Sequence, residues 1–174
     1  AVRQVLNYIA DHNFWALSNF AESFGKLVTN TFPEGERGIV FEKALRKTGH
    51  LIDYSRYADR AREFADIARE YVAPDKWPSA YRLFKQSLLD TLCRNDRRGK
   101  ARAITIEGTE KVAEMLGIFA ASLPLSKKMQ SHVYEDVVGL LDNPRSYVKG
   151  REVVVTDSPS RSGIIRYTAK KNSD

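Results

Sequence analysis

The chain has 174 residues, 43% apolar and 29% charged, an ordinary balance for a globular fold and enough chain to bury a core without staples. Its one cysteine, Cys93, excludes an internal disulfide framework, and no run approaches the roughly 18 apolar residues of a membrane-spanning helix. The net charge of +6 is uneven, because residues 1–90 carry 13 Lys/Arg against 12 Asp/Glu and residues 91–174 carry 15 against 10. Basic excess on one part of a chain points to an anionic partner, of which nucleic acid is the commonest. The competing reading is a basic surface that aids solubility. Ala1-Val2-Arg3-Gln4 lacks the charged-then-apolar layout of a signal peptide, so a cytoplasmic, intracellular location and no membrane partner are expected.

In chain order, residues 2–30 predict helix with a break near Asp11-His12-Asn13. Phe14, Leu17, Ala21, Phe24 and Val28 recur at helical spacing, and Trp15 and Phe20 add aromatic bulk. These aromatics, with Phe32 and Phe41, are read as core rather than as the lining of a ligand pocket. Pro33 to Gly38 reads as a loop from its Pro and Gly content, and Ile39 to Lys47 as a short helix ended by Gly49. Asp53 is placed to cap a helix to about Val72. Its inner stripe is Tyr57, Ala61, Phe64, Ala65, Ala68, Tyr71 and Val72, and Arg56, Arg60, Glu63, Asp66, Arg69 and Glu70 are read as its solvated face. Pro74 and Pro78 bracket a loop holding Trp77, and Ser79 to Cys93 forms another helix.

Arg94 to Arg102 is the densest basic run, read as a loop from its Asn, Asp and Gly, and Ala103 to Ile106 as a short strand. The predicted organisation is an N-terminal helical part over 1–93 serving core and dimerisation, a basic linker over 94–108, a C-terminal unit over 109–169 and a flexible tail over 170–174.

Thr109 to Ile118 resembles the first helix and turn of helix-turn-helix DNA-binding proteins, a resemblance of about 20 residues within 109–142. That family sets a small residue inside the first helix, here Ala113, and a Gly four residues on for a left-handed turn, here Gly117. Val112, Leu116, Ile118 and Leu123 would then be packing positions. This register puts the second helix near Ala120 to Met129 with Pro124 inside it, at a cost of about 3 kcal/mol. A second register extends the first helix to about Ala121, uses Ser122 to Leu125 as the connection and lets Ser126 cap a helix to about Leu141. In that helix Met129, Val133, Val137, Leu140 and Leu141 form an apolar stripe. The resemblance then implies that Lys127, Lys128, Gln130 and Ser131, at the start of the second helix, enter a DNA groove.

Arg151 to Thr156 and Ile164 to Ala169 read as the strands of a hairpin with its turn at 157–163. A hairpin after a recognition helix is the wing of a winged helix. Arg161 at its tip, with Arg97, Arg98 and Lys100 in the basic loop, would contact phosphates. The expected fold is mainly α, a bundle of about six helices with a C-terminal β-hairpin. The expected function is non-catalytic binding of duplex DNA in a regulatory or maintenance role, by an oligomer. A helical interaction or assembly protein and a basic single-strand or RNA binder are the alternatives. His12, His50 and His132 have no ligand spacing, so no metal is expected. No phosphate-binding loop or nucleophile elbow is present, so no cofactor is expected either. Cys93 beside Arg94, and Arg46 four residues from His50, are the weak catalytic candidates, the first more simply read as core.

Overall fold

The computed structural model describes residues 1–52, 56–92, 94–95, 102–147, 153–156 and 164–165. These residues form a mainly α-helical structure with seven helices: α1 (Val2–Asp11), α2 (Phe20–Thr31), α3 (Glu34–Thr48), α4 (Tyr57–Tyr71), α5 (Trp77–Leu92), α6 (Ile106–Ala121) and α7 (Lys127–Asp142). Four short strand segments accompany them: β1 (Arg94–Asn95), β2 (Arg102–Thr105), β3 (Val153–Thr156) and β4 (Ile164–Ile165). The backbone pairing is antiparallel for β1 with β2, parallel for β2 with β3 and antiparallel for β3 with β4. The expected turn at 157–163, the end of the returning strand and the tail lie outside the described residues, as do Asp53 and Cys93.

The break between α1 and α2 is made by two asparagines in the left-handed region, Asn13 (φ 46°) and Asn19 (φ 55°), a conformation Asn tolerates better than most residues. Between them one 3-10 turn, Phe14–Ala16, drives Phe14 and Trp15 inward. Trp15 is fully buried, its ring 5.0 Å from Phe64 and 5.4 Å from Phe20, and its Nε1 donates to Thr48 Oγ1 at 2.7 Å. Phe20, Phe24, Phe41 and Phe64 are equally buried, so the aromatics of the first third are core.

Three expectations fail in this half. The stretch from Pro33 to Gly38 is not a loop. Pro33 precedes the first turn of α3, and Glu34 and Glu36 occupy that turn, where the partial positive end of the helix favours acids. Gly38 is there for space: a Cβ would overlap the Tyr71 carbonyl oxygen and lie 3.2 Å from Val72 Cα. Arg60 is likewise not on a solvated face. It is 7% exposed and donates to the Trp15 and Ala16 carbonyl oxygens, closing the end of the 3-10 turn. Trp77 opens α5 rather than sitting in a loop, and Pro78 falls in the first turn, where its missing N–H costs nothing. The Trp77 Nε1 donates to the Ala68 and Val72 carbonyl oxygens at 3.2 and 3.1 Å, satisfying the end of α4.

α6 is the central element. Its Val112, Met115, Leu116 and Phe119 are fully buried, and it packs against α4, α5 and α7. The Phe119 ring stacks on Phe84 of α5 at 4.6 Å. One continuous core therefore runs from Val5 in α1 to Leu140 in α7. The segment read as a linker over 94–108 contains β2 and the first turn of α6, with Ile104 fully buried.

Candidate functional site

The surface of α6 and α7 holds four of the eight contact residues that the sequence singles out. Thr105 caps α6, its Oγ1 accepting from the Gly108 N–H at 2.9 Å. The helix then runs without interruption through Gly117 to Ala121. Gly117 is therefore mid-helix and makes no turn, and the Ala113–Gly117 register is overturned. Pro124 lies in the connection, outside both helices, where it breaks no helical hydrogen bond. The second register matches what forms: Ser126 Oγ accepts from the Met129 N–H at 3.2 Å and starts α7.

α7 seats Met129, Val133 and Leu140 in the core. From the same helix Asp136 reaches α5, accepting from the Tyr81 hydroxyl at 2.9 Å and pairing with Lys85 Nζ at 3.0 Å. Burial first, and the Asp136 charge second, hold the Tyr81 phenol well above its ordinary value. The chain after α7 turns back through Pro144–Tyr147, and the Tyr147 hydroxyl donates to the Glu135 carbonyl oxygen at 3.3 Å. Tyr147 lies over Gly139, whose missing side chain leaves it room.

Lys127, Lys128, Gln130 and Ser131 are all exposed on the first turns of α7. Gln130 is partly committed, since its Nε2 donates to the Leu125 carbonyl oxygen at 3.1 Å. The two lysines make no ion pair among the described residues, and no acid shares their turn. By contrast α2, α3, α4 and α6 each begin with acid: Glu22, Glu34 and Glu36, Asp59, and Glu107. Two cations at a helix N-terminus oppose the helix dipole, so α7 concentrates positive potential where those four helices neutralise it. Arg97, Arg98, Lys100 and Arg161 lie outside the described residues.

An apolar surface that the sequence reading did not isolate lies along the same two helices. Ala113, Gly117, Ile118 and Ala121 of α6 and Val137 and Leu141 of α7 line an open groove. A Cβ on Gly117 would meet nothing within 4 Å among the described residues, so the helix backbone itself is approachable there. Leu141, expected in the inner stripe, is 49% exposed, and Tyr134 is 70% exposed. The available signal was the second apolar series on α7, Tyr134, Val137, Val138 and Leu141, at i, i+3, i+4 and i+7. On the rim, Glu114 is hydrogen-bonded to the Tyr57 phenol and holds it above its ordinary value. Lys111 pairs with Glu107 at 2.7 Å. Glu110, the other rim acid, has no ion pair among the described residues.

Among the described residues no group of His, Cys, Asp and Glu is arranged to hold a metal ion, and no helix is long and apolar enough to cross a membrane. Arg46 and His50 are both exposed. No family model, no curated protein and no solved structure matches the chain.

Proposed function

We propose that the chain is a non-catalytic helical interaction protein that docks a protein partner on the α6–α7 face. The carrying observation is the apolar surface formed by Gly117, Ile118, Ala121, Val137 and Leu141, in a groove whose floor at Gly117 no described residue covers. Contiguous exposed apolar surface of this kind marks interaction sites more often than scattered exposed residues do. The full chain and its Leu141→Glu variant, each tagged and recovered from cells, test it. A protein bound by the wild type and lost from the variant, another copy of this chain included, supports the reading. Identical binding by both, or none by either, refutes it.

A second reading is duplex DNA binding in a regulatory role, through Lys127, Lys128, Gln130 and Ser131, with the C-terminal strands as a wing. The observation favouring it is the dipole-opposed lysine pair at the start of α7, which makes no ion pair among the described residues. Mobility-shift titrations with duplex and single-stranded probes at two salt concentrations separate this reading from a single-strand or RNA binder. Unchanged duplex binding on replacing both lysines with alanine rules out the assignment.

A further inference from the structure

We infer that the partner seated on the α6–α7 face is a second copy of this chain, packed two-fold with the α6 helices antiparallel and crossing at Gly117. The inference rests on the docking reading above and adds the identity and orientation of the occupant.

Charge selects the orientation. The groove edge carries Glu110 and Glu114 toward the start of α6, while Lys127 and Lys128 start α7 just past the end of α6. A parallel pairing would set Glu110 beside Glu110 and Glu114 beside Glu114, like charges along the whole contact. An antiparallel crossing at Gly117 does the reverse. Glu110 lies seven residues before the crossing, about 10 Å along the helix at ~1.5 Å per residue. That is the level of the connection beyond Ala121 on the other copy, where Ser126 leads into Lys127 and Lys128. The acid without an ion pair on one copy then faces the two lysines without one on the other, twice over by symmetry. Each of these three charges makes no ion pair among the described residues of its own chain.

Shape agrees with charge. Ala113, Gly117 and Ala121 recur every four residues and line the groove from α6. The α7 ridge beside it, from Tyr134 through Val138 to Leu141, gives each copy both a trough and a projection. A crossing point without a side chain lets two helix axes approach closely, and at Gly117 no other described residue fills the space. The alternative use of the lysines, contact with nucleic acid, excludes this one at the same site.

Sedimentation of the full chain across concentration and salt tests the inference. The wild type is expected to dimerise, less tightly at high salt. Gly117→Leu fills the crossing and is expected to weaken the dimer by about tenfold or more, as a lost close-packed contact does. Glu110→Lys, and separately Lys127→Glu with Lys128→Glu, should each weaken it by about 3- to 10-fold, the range for exposed pairs counted twice. Combining the reversals should restore it. All of these changes fall on exposed or open positions, so folding, followed by circular dichroism, is expected to survive. A wild type that stays monomeric at its highest soluble concentration overturns the second-copy assignment, and the docking reading then stands or falls on the Leu141→Glu comparison. A dimer indifferent to all the variants overturns the face itself. A dimer broken by Gly117→Leu whose charge reversals do not rescue each other overturns the antiparallel arrangement.

Discussion

Replacing Gly38 and Gly117 by alanine, one at a time, is the same chemical change in the interior of two helices, and the structure requires opposite outcomes. Glycine costs a helix interior about 1 kcal/mol relative to alanine through backbone entropy. At Gly117 the added methyl meets nothing within 4 Å among the described residues, so Gly117→Ala should stabilise the monomer by about that amount. At Gly38 the methyl would overlap the Tyr71 carbonyl oxygen and press on Val72 Cα at 3.2 Å. Both are backbone atoms of another segment, so relief requires α3 to move away from the end of α4. Overpacking of this kind costs up to about 3 kcal/mol, which leaves a net loss of about 2 kcal/mol after the propensity gain. The two variants should therefore differ by about 3 kcal/mol, or roughly 6–12 °C in midpoint for a chain of this size. Thermal and urea unfolding at dilute protein concentration, followed by circular dichroism, measures the difference. A Gly38→Ala protein as stable as the wild type would refute the packing of α3 on α4 described above, and a destabilised Gly117→Ala monomer would refute the open floor of the groove.

Other perturbations have equally definite outcomes. Arg60→Met keeps the aliphatic stem but leaves the Trp15 and Ala16 carbonyl oxygens without their donor; a loss of about 3 kcal/mol is expected in urea unfolding. Asp136→Ala strands the buried Tyr81 hydroxyl and the partly buried Lys85, and should cost about 2 kcal/mol with faster hydrogen exchange in α7. Because the folded protein holds the Tyr81 proton above the ordinary phenol value, the associated stability is complete below pH ~10 and is lost as pH rises past it. Alkaline unfolding midpoints should fall in the wild type and change less steeply in Tyr81→Phe. Lys127→Glu should raise the unfolding midpoint, by the equivalent of about 0.3–1 kcal/mol, by reversing a charge that opposes the dipole of α7.

How much of this was legible in the sequence depended on the range of the interaction. α7 was readable almost to the residue because its determinants are local: Pro124 cannot sit inside a helix, Ser126 caps, and Asn143-Pro144 stops. The start of α3 was misread because glycine and proline signal loops only statistically. Here Pro33 precedes a first turn, and Gly38 answers to a backbone some 33 residues away at the end of α4. Arg60 carried a signal that charge obscured. It falls one position before Ala61 and four before Phe64, on the stripe that becomes the inner face of α4. Gly117 shows the limit of a short motif, because the same residue that permits a turn also permits a close approach, and only the surrounding helix decides between them. The Tyr81–Asp136–Lys85 cluster joins α5 to α7 across some fifty residues, and no periodicity within either helix reports it. The groove was half visible: α7 has more apolar positions than one buried stripe can use, but which of them stay uncovered depends on how closely α6 and α7 pack.

The central placement of α6 also sets the order in which the molecule can be completed during synthesis. Phe84 and Leu88 of α5 and Phe64 of α4 are fully buried, and α6, which packs on both helices, is made only after residue 105. A nascent chain ending before that point carries five finished helices with an open seam along α4 and α5. Its apolar side chains must wait there, accessible to chaperones or to other unfinished chains, until residues 106–121 clear the ribosome tunnel and close it. Arrest peptides placed along the coding sequence should register a folding force only once α6 has emerged.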